Sequence, residues 1–149
     1  MEQITRNKKA YFEYFIEDTY TAGLVLLGSE VKSIRHGNVS IKEAYCIVID
    51  GEMFIRGMHI SPFKESGMHQ NHDPTRERKL LLNKKEILKL QEKVTQKGFT
   101  IIPLKIIITK RGLIKIDIGL GMGKKLFDKK NTIREKDVKR DTDRELKNI

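Results

Sequence analysis

The sequence predicts a mainly β domain with helices (α+β), closed as an antiparallel barrel of OB type and followed by a basic C-terminal arm. Three observations carry this. Short Ile, Leu, Val and aromatic runs recur between Gly, Asp and Pro turn signals. One long amphipathic pattern interrupts them, so a single substantial helix is inserted among strands rather than alternating with them, which favours an antiparallel barrel over a doubly wound sheet. From Gly119 a glycine-rich run passes into a charged stretch with too little apolar surface to pack a core.

In chain order, Tyr11 to Ile16 is aromatic and β-branched and reads as a strand, and Leu24 to Leu27 reads as a second one after a break at Thr21-Ala22-Gly23. Ser29 is placed to cap a short helix through Arg35, with Val31 and Ile34 facing inward, Lys32 and Arg35 outward, and Gly37 ending it. Tyr45 to Ile49 and Met53 to Ile60 flank Asp50-Gly51, a pair that tolerates the positive φ of a primed hairpin turn. A loop follows from Ser61 to Pro74. The clearest helix begins after Asn83, which pairs with Glu86 in a capping-box-like pattern; Ile87, Leu90 and Val94 form its apolar stripe and Gly98 closes it. Phe99 to Ile108 and Leu113 to Ile118 make a second hairpin around Lys110-Arg111-Gly112, with Pro103 marking an edge or a bulge.

Residues 1–123 are therefore expected to form the barrel and residues 124–149 a flexible basic tail. From Lys124 onward there are ten Lys/Arg against six Asp/Glu, and Ile133, Val138, Leu146 and Ile149 hold no helical spacing. Supportive pairs such as Glu135 with Lys139 are offset by repulsive ones such as Lys136 with Arg140, each worth about 0.2–0.5 kcal/mol. The free tail is expected to be coil, and a phosphate-lined channel would screen its charge and favour helix.

Composition narrows the partners. The 149 residues carry a net charge of +10, with 34% charged and 38% hydrophobic residues. Lys/Arg-rich surfaces neutralise phosphates and release counterions, which points to nucleic acid. An anionic membrane surface would call for a basic amphipathic helix with bulky apolar anchors, a face the arm lacks. The apolar runs are far shorter than a membrane span, and Met1-Glu2-Gln3-Ile4 begins no signal peptide, so the expected setting is cytoplasmic. Cys46, the single cysteine, lies in a strand-like apolar run, so no intrachain disulfide is expected.

The motifs favour binding over catalysis. Gly123-Lys124 fails as a phosphate loop because Ile118 stands where its first glycine would be and Lys125 where Ser or Thr would be. His69, His72 and Asp73 are loosely spaced like metal ligands and support a weaker reading as a metal-dependent RNA enzyme. No Ser/His/Asp arrangement or carboxylate pair stands out, and the sequence calls for no cofactor. Arg76, Arg78 and Lys79 form a charged approach to the Asn83 helix and are candidates for gripping phosphates. Tyr11, Phe12 and Tyr14 are able to stack on bases, although strand aromatics are more often core.

Several blocks together resemble one family: Asn7-Lys8-Lys9-Ala10, Ala22-Gly23-Leu24, Gly28 to Gly37, Arg76 to Asn83, and Gly123-Lys124-Lys125 with Asp128-Lys129-Lys130. In this order, over essentially the whole chain, they are similar to the small protein B family, the SsrA-binding proteins of bacterial trans-translation. The resemblance implies a non-enzymatic barrel, monomeric when free, that binds the tRNA-like domain of transfer-messenger RNA and brings it to ribosomes stalled on messages lacking a stop codon. It implies RNA contacts at Leu81, Asn83 and Gly123. The basic and polar members of the same blocks, Asn7, Lys8, Lys9, Lys32, Arg35, Arg76, Arg78, Lys79, Lys124 and Lys125, are expected to join them. The tail, through Phe127, Asp128, Lys129, Lys130, Arg134, Lys136, Lys139 and Arg140, is expected to meet 16S rRNA at the decoding centre and enter the empty mRNA channel as a helix. The chain departs from the family pattern at Thr21, where Glu is usual, at Phe127 and Lys130, and at Glu145-Leu146. The rival from another class is a general single-stranded-RNA-binding or ribosome-associated OB protein.

Overall fold

The computed structural model describes residues 2–63 and 71–124. Among these residues nine strands and three helices follow in the order β1 (Glu2–Arg6), α1 (Lys8–Glu13), β2 (Tyr14–Leu24), α2 (Gly28–Arg35), β3 (Val39–Ser40), β4 (Tyr45–Ile49), β5 (Glu52–Arg56), β6 (His59–Ile60), β7 (Arg78–Leu81), α3 (Lys84–Lys97), β8 (Thr100–Ile108) and β9 (Ile114–Gly123). The main sheet runs β1-β8-β4-β5-β7-β2-β9, and an additional β8–β9 pairing closes it. All its pairings are antiparallel, so β8, β4, β5, β7, β2 and β9 form the wall of an OB-type barrel. One edge of β8 is shared: Ile101 pairs with Cys46 of β4, whereas Lys105 to Ile108 pair with β1. The β8–β9 register shifts between Pro103 and Lys105, the bulge anticipated from the proline.

Inward-facing residues alternate along the strands. Met53, Ile55, Leu80, Ile106, Ile116, Ile118 and Leu120 are all at most 1% exposed and meet Ile34 of α2 and Leu90 of α3 in one cluster. Burying each such side chain contributes about 1.5–3 kcal/mol. Helix α3 behaves as its sequence predicts. The Asn83 side chain accepts from the Glu86 amide, and Gly98 takes the left-handed conformation at the end. The Asp50-Gly51 turn likewise holds positive φ at both residues, 50° and 77°.

Five local expectations change. Tyr11, Phe12 and Glu13 belong to helix α1 rather than to a strand. The Asn7 side chain caps that helix by accepting from Ala10 N, Lys9 and Glu13 pair one turn apart at 3.7 Å, and buried Ala10 packs with Ile102 and Leu104. Thr21-Ala22-Gly23 is no break, because β2 continues through it along β9; the chain leaves the sheet only after Leu24. Ser29 lies inside α2, whose N-cap is Leu27, and the amide of Leu27 donates to the Glu30 carboxylate. The strand expected from Met53 to Ile60 is split into β5 and β6 at Gly57. The charged approach to α3 is itself strand β7, held between β5 and β2.

The glycine run from Gly119 to Gly123 is strand as well. Gly119 and Gly121 are buried in β9, and a Cβ on Gly119 would lie 2.9 Å from Leu104 Cδ1 and 3.0 Å from Ile16 Cγ2. Glycine here makes room for side chains arriving from β2 and β8.

Candidate nucleic-acid interface

The barrel gathers the residues singled out from the sequence into three surfaces. The first lies where β9 ends. Tyr14 pairs with Gly123 across β2 and β9, which places Lys124 beside α1 although more than a hundred residues separate them in sequence. Asn7 fixes α1 to the barrel: its side chain donates to Pro103 O at 3.1 Å and its amide to Leu104 O at 2.7 Å. Asn7 is buried, so it acts as a bracket that presents exposed Lys8 and Lys9. Lys124 sits over the Phe15 ring, 5.2 Å from its centroid, and Arg6 over Tyr11 at 4.8 Å. Three of the aromatic residues here are surface, Phe12 at 76% exposed and Tyr11 and Phe15 exposed as well, whereas Tyr14 is half-buried against Ala10, Ile102 and Leu104.

The second surface is β7 with the start of α3. Alternation along the strand sends Arg78 and Leu80 inward and Lys79 and Leu81 outward. Leu81 is 53% exposed and packs across from Gly23, where an added Cβ would come within 3.3 Å of Leu81 Cβ. Asn83 is exposed, and its amide nitrogen donates to Glu86 Oε1 at 2.8 Å while its oxygen caps the helix. Lys79 reaches Glu52 at 3.1 Å. Strand β2 joins this surface to the first, with Tyr14 near one end and Gly23 near the other, roughly 30 Å apart along the strand at about 3.3 Å per residue. The third surface is the outer face of α2. Lys32 lies 5.6 Å from the Phe63 ring centroid, and Arg35 donates to Gly112 O in the β8–β9 turn.

Arg78 offers nothing to a ligand. Its side chain is fully buried, donating from Nε to Glu30 Oε2 at 2.5 Å, from Nη1 to Met58 O at 2.6 Å, and from Nη2 toward Pro74 O and Asp73 O. Arg76, about one-third exposed, donates to Glu30 Oε1 at 2.6 Å. Burial alone would raise the Glu30 carboxyl, but hydrogen bonds from Arg76, the Leu27 amide and Arg78 outweigh it and hold the group below the usual glutamate range. Burial likewise lowers the Arg78 guanidinium, opposed by Glu30. Glu30 escapes sequence reasoning because its partners lie 46 and 48 residues away; the one local sign is its position three residues after the helix cap.

His72 is a strut as well. Its Nε2 donates to Ile60 O and its Nδ1 shares a hydrogen bond with Ser29 Oγ, both at 2.8 Å. Among the described residues no group of three or more His, Cys, Asp or Glu is arranged to hold a metal. Burial pushes the Cys46 thiol far up, so it stays protonated. Thr21 donates to Asp117 across the β2–β9 pair at 2.7 Å. No described helix is long and apolar enough to cross a membrane. His69, Lys125, Phe127, Asp128, Lys129, Lys130, Arg134, Lys136, Lys139 and Arg140 lie outside the described residues.

What remains outward is three basic surfaces: one carries aromatic rings and one an exposed leucine, these two joined by β2, and the third is the outer face of α2 with Lys32 and Arg35. Similar proteins share this chain over nearly its whole length. An SsrA-binding protein of Cupriavidus pinatubonensis is 54% identical over 144 residues, covering 97% of this chain and 95% of the relative. One from Acholeplasma laidlawii is 55% identical over 147 residues, covering 99% and 97%. A solved structure described as "tmRNA-SmpB: a journey to the center of the bacterial ribosome" is 43% identical, covers 80% of this chain and 83% of its own, and superposes with a TM-score of 0.67. The family model for SmpB protein matches residues 4–148. Because that match spans nearly the whole chain, the chain belongs to the SmpB protein family.

Proposed function

We propose that this protein is a non-catalytic RNA-binding adaptor of trans-translation. Its barrel binds the tRNA-like domain of transfer-messenger RNA and delivers that RNA to stalled ribosomes, so that incomplete polypeptides are tagged and released. The observation that carries this reading is the 43% identical likeness of the barrel to a structure of tmRNA with SmpB in the ribosome. The surfaces support it. A folded RNA is gripped largely through phosphates and shape, and Lys8 and Lys9 on α1 and Lys124 after β9 stand at one end of β2 while Lys79, Leu81 and Asn83 stand near the other. Arg78 and Asn7 serve by holding those surfaces in place. Residues 1–123 act as the RNA-binding unit and residues 124–149 as the arm that enters the mRNA channel, with Phe127 to Lys130 at the decoding centre. The protein works in the cytoplasm as a monomer until it meets RNA.

The test is competitive binding of the full chain to a tRNA-like fragment of transfer-messenger RNA against a single-stranded RNA of equal length, at physiological salt because affinities at low salt report charge alone. A preference of tenfold or more for the folded fragment is expected. Equal binding would mean that charge explains the affinity and would favour a general single-strand binder.

A further inference from the structure

Beside the tail root is a cavity of about 370 Å³, lined by Phe12, Glu13, Tyr14, Gly123 and Lys124. A second cavity of about 230 Å³ adjoins it and shares Glu13 and Tyr14. Phe12 is able to stack on a base, but neither the family likeness nor the surfaces described above says which group it meets, and neither gives Glu13 an RNA contact. We propose that the larger cavity is a nucleobase pocket that takes one unstacked guanine of the bound RNA. This rests on the RNA-binding reading and names what one part of the surface recognises.

The chemistry is specific to a base. Phe12 leaves its ring 76% exposed at the end of α1, where an isolated apolar group gains nothing for folding and offers a flat face for stacking. Tyr14 supplies a second ring from the first residue of β2, half-buried and held by its packing against Ala10, Ile102 and Leu104. Gly123 opposite Tyr14 adds no side chain, and even a Cβ there would approach Tyr14 Cε1 no closer than 4.0 Å. Three polar groups line the cavity, the Glu13 carboxylate, the Tyr14 hydroxyl and the Lys124 ammonium, and of these the carboxylate is the one that accepts without donating. A carboxylate accepts only, and among the four bases guanine alone presents two adjacent donors, N1–H and the 2-amino group, that meet both carboxylate oxygens at once. Glu13 is free to turn toward them because its partner, Lys9, is an exposed ion pair at 3.7 Å. The backbone of the same nucleotide would find Lys9 and Lys124 within reach, which makes the rim complementary to phosphate while the wall is complementary to the base.

The test uses the full chain and the tRNA-like RNA fragment, with each unpaired guanine replaced in turn by inosine, which lacks the 2-amino donor. One replacement is expected to weaken wild-type binding about tenfold, the size of one hydrogen bond to a charged acceptor. Glu13→Gln is expected to erase the difference between guanine and inosine at that one position. Absolute affinity is not the readout, because removing a negative charge strengthens any RNA contact. Phe12→Leu, at an exposed site that does not bear on the barrel, is expected to lower affinity several-fold with an unchanged thermal transition. If no single guanine matters, or if Glu13→Gln leaves the discrimination intact, the pocket is overturned while preference for the folded fragment still stands. Loss of that preference in the wild type would instead overturn the functional reading itself.

Discussion

Glu30 and Arg78 meet inside the protein at 2.5 Å with neither side chain exposed. The pair ties α2 to β7, and because Glu30 also accepts from Arg76 and from the Leu27 amide, one carboxylate fixes the loop after β2, the start of α2 and the strand that presents Leu81. Breaking a buried pair from one side leaves an uncompensated charge. Glu30→Gln is therefore expected to destabilise the barrel by about 3–5 kcal/mol, read as a shift in the urea midpoint. Arg76→Ala, at a partly exposed site, should cost about 1 kcal/mol. Equal losses for the two variants would contradict the shared-carboxylate arrangement.

The same group sets the acid side of the stability profile. Burial works against the Glu30 charge, but its three donors prevail and its folded pKa lies below the ordinary 4.5. The folded state thus binds this proton less readily than the unfolded chain, and the stabilisation is present above about pH 4.5 and is lost as pH falls through the lower folded value. Urea midpoints measured from pH 6 to pH 3 should show the gap between wild type and Glu30→Gln narrowing toward the acid end. A gap that widens there would have the sign wrong.

Gly119 and Gly121 test whether the glycine run is packed strand. A Cβ at Gly121 would stand 3.1 Å from both Ile102 Cδ1 and Ile16 Cδ1 and 3.2 Å from the Phe15 carbonyl oxygen. The backbone atom cannot step aside. At Gly119 the obstacles are the ends of Leu104 and Ile16. Both alanine variants should lose about 1–3 kcal/mol through overpacking, and Leu104→Val should recover part of the loss at Gly119 alone. Unchanged melting of both variants would show that the run is not packed against β2 and β8.

Asn83 carries two roles that one substitution pair separates. Asn83→Ala removes the cap of α3 and should cost about 1 kcal/mol, whereas Asn83→Ser keeps a capping oxygen and most of the stability. Ser lacks the amide nitrogen. A serine variant that melts like wild type but binds the tRNA-like fragment several-fold more weakly would assign that nitrogen to RNA. Full affinity in the serine variant would leave Asn83 as a cap only.

The parts of this fold legible in the sequence are those written in neighbouring residues. Asn83 with Glu86 and Gly98, Asp50 with Gly51, and the turn at Gly112 each carry their own conformational reason, and the structure follows them. Helix α1 was hidden because Tyr11 and Phe12 favour strands by intrinsic preference, while the forces that make it helical are the Asn7 cap and the burial of Ala10 on β8, which sits more than ninety residues away. The same distance hides Glu30, whose burial is tolerable only because Arg78 arrives from β7. Basic residues of the interface could be named from the sequence, but which of them point outward depends on the phase of each strand. That phase turned Arg78 inward and left Lys79 facing solvent.

The last prediction concerns the boundary at Gly123. Among the described residues the strand pairings of the barrel lie at or before that residue, the last being Tyr14 with Gly123, and the core cluster runs as far as Leu120. A chain ending after Gly123 should keep its thermal transition within about 4 °C of the full chain, the shift expected for less than 1 kcal/mol in a domain of this size. It loses the net positive charge of residues 124–149, so its RNA binding should grow less steep with salt while the preference for the folded fragment persists. Tagging of nascent chains on stalled ribosomes, assayed in a purified translation system, should fall to background, because the arm proposed to occupy the mRNA channel is gone. Loss of the thermal transition would show that residues beyond the last strand hold the barrel together, and full tagging activity would remove the arm from the mechanism.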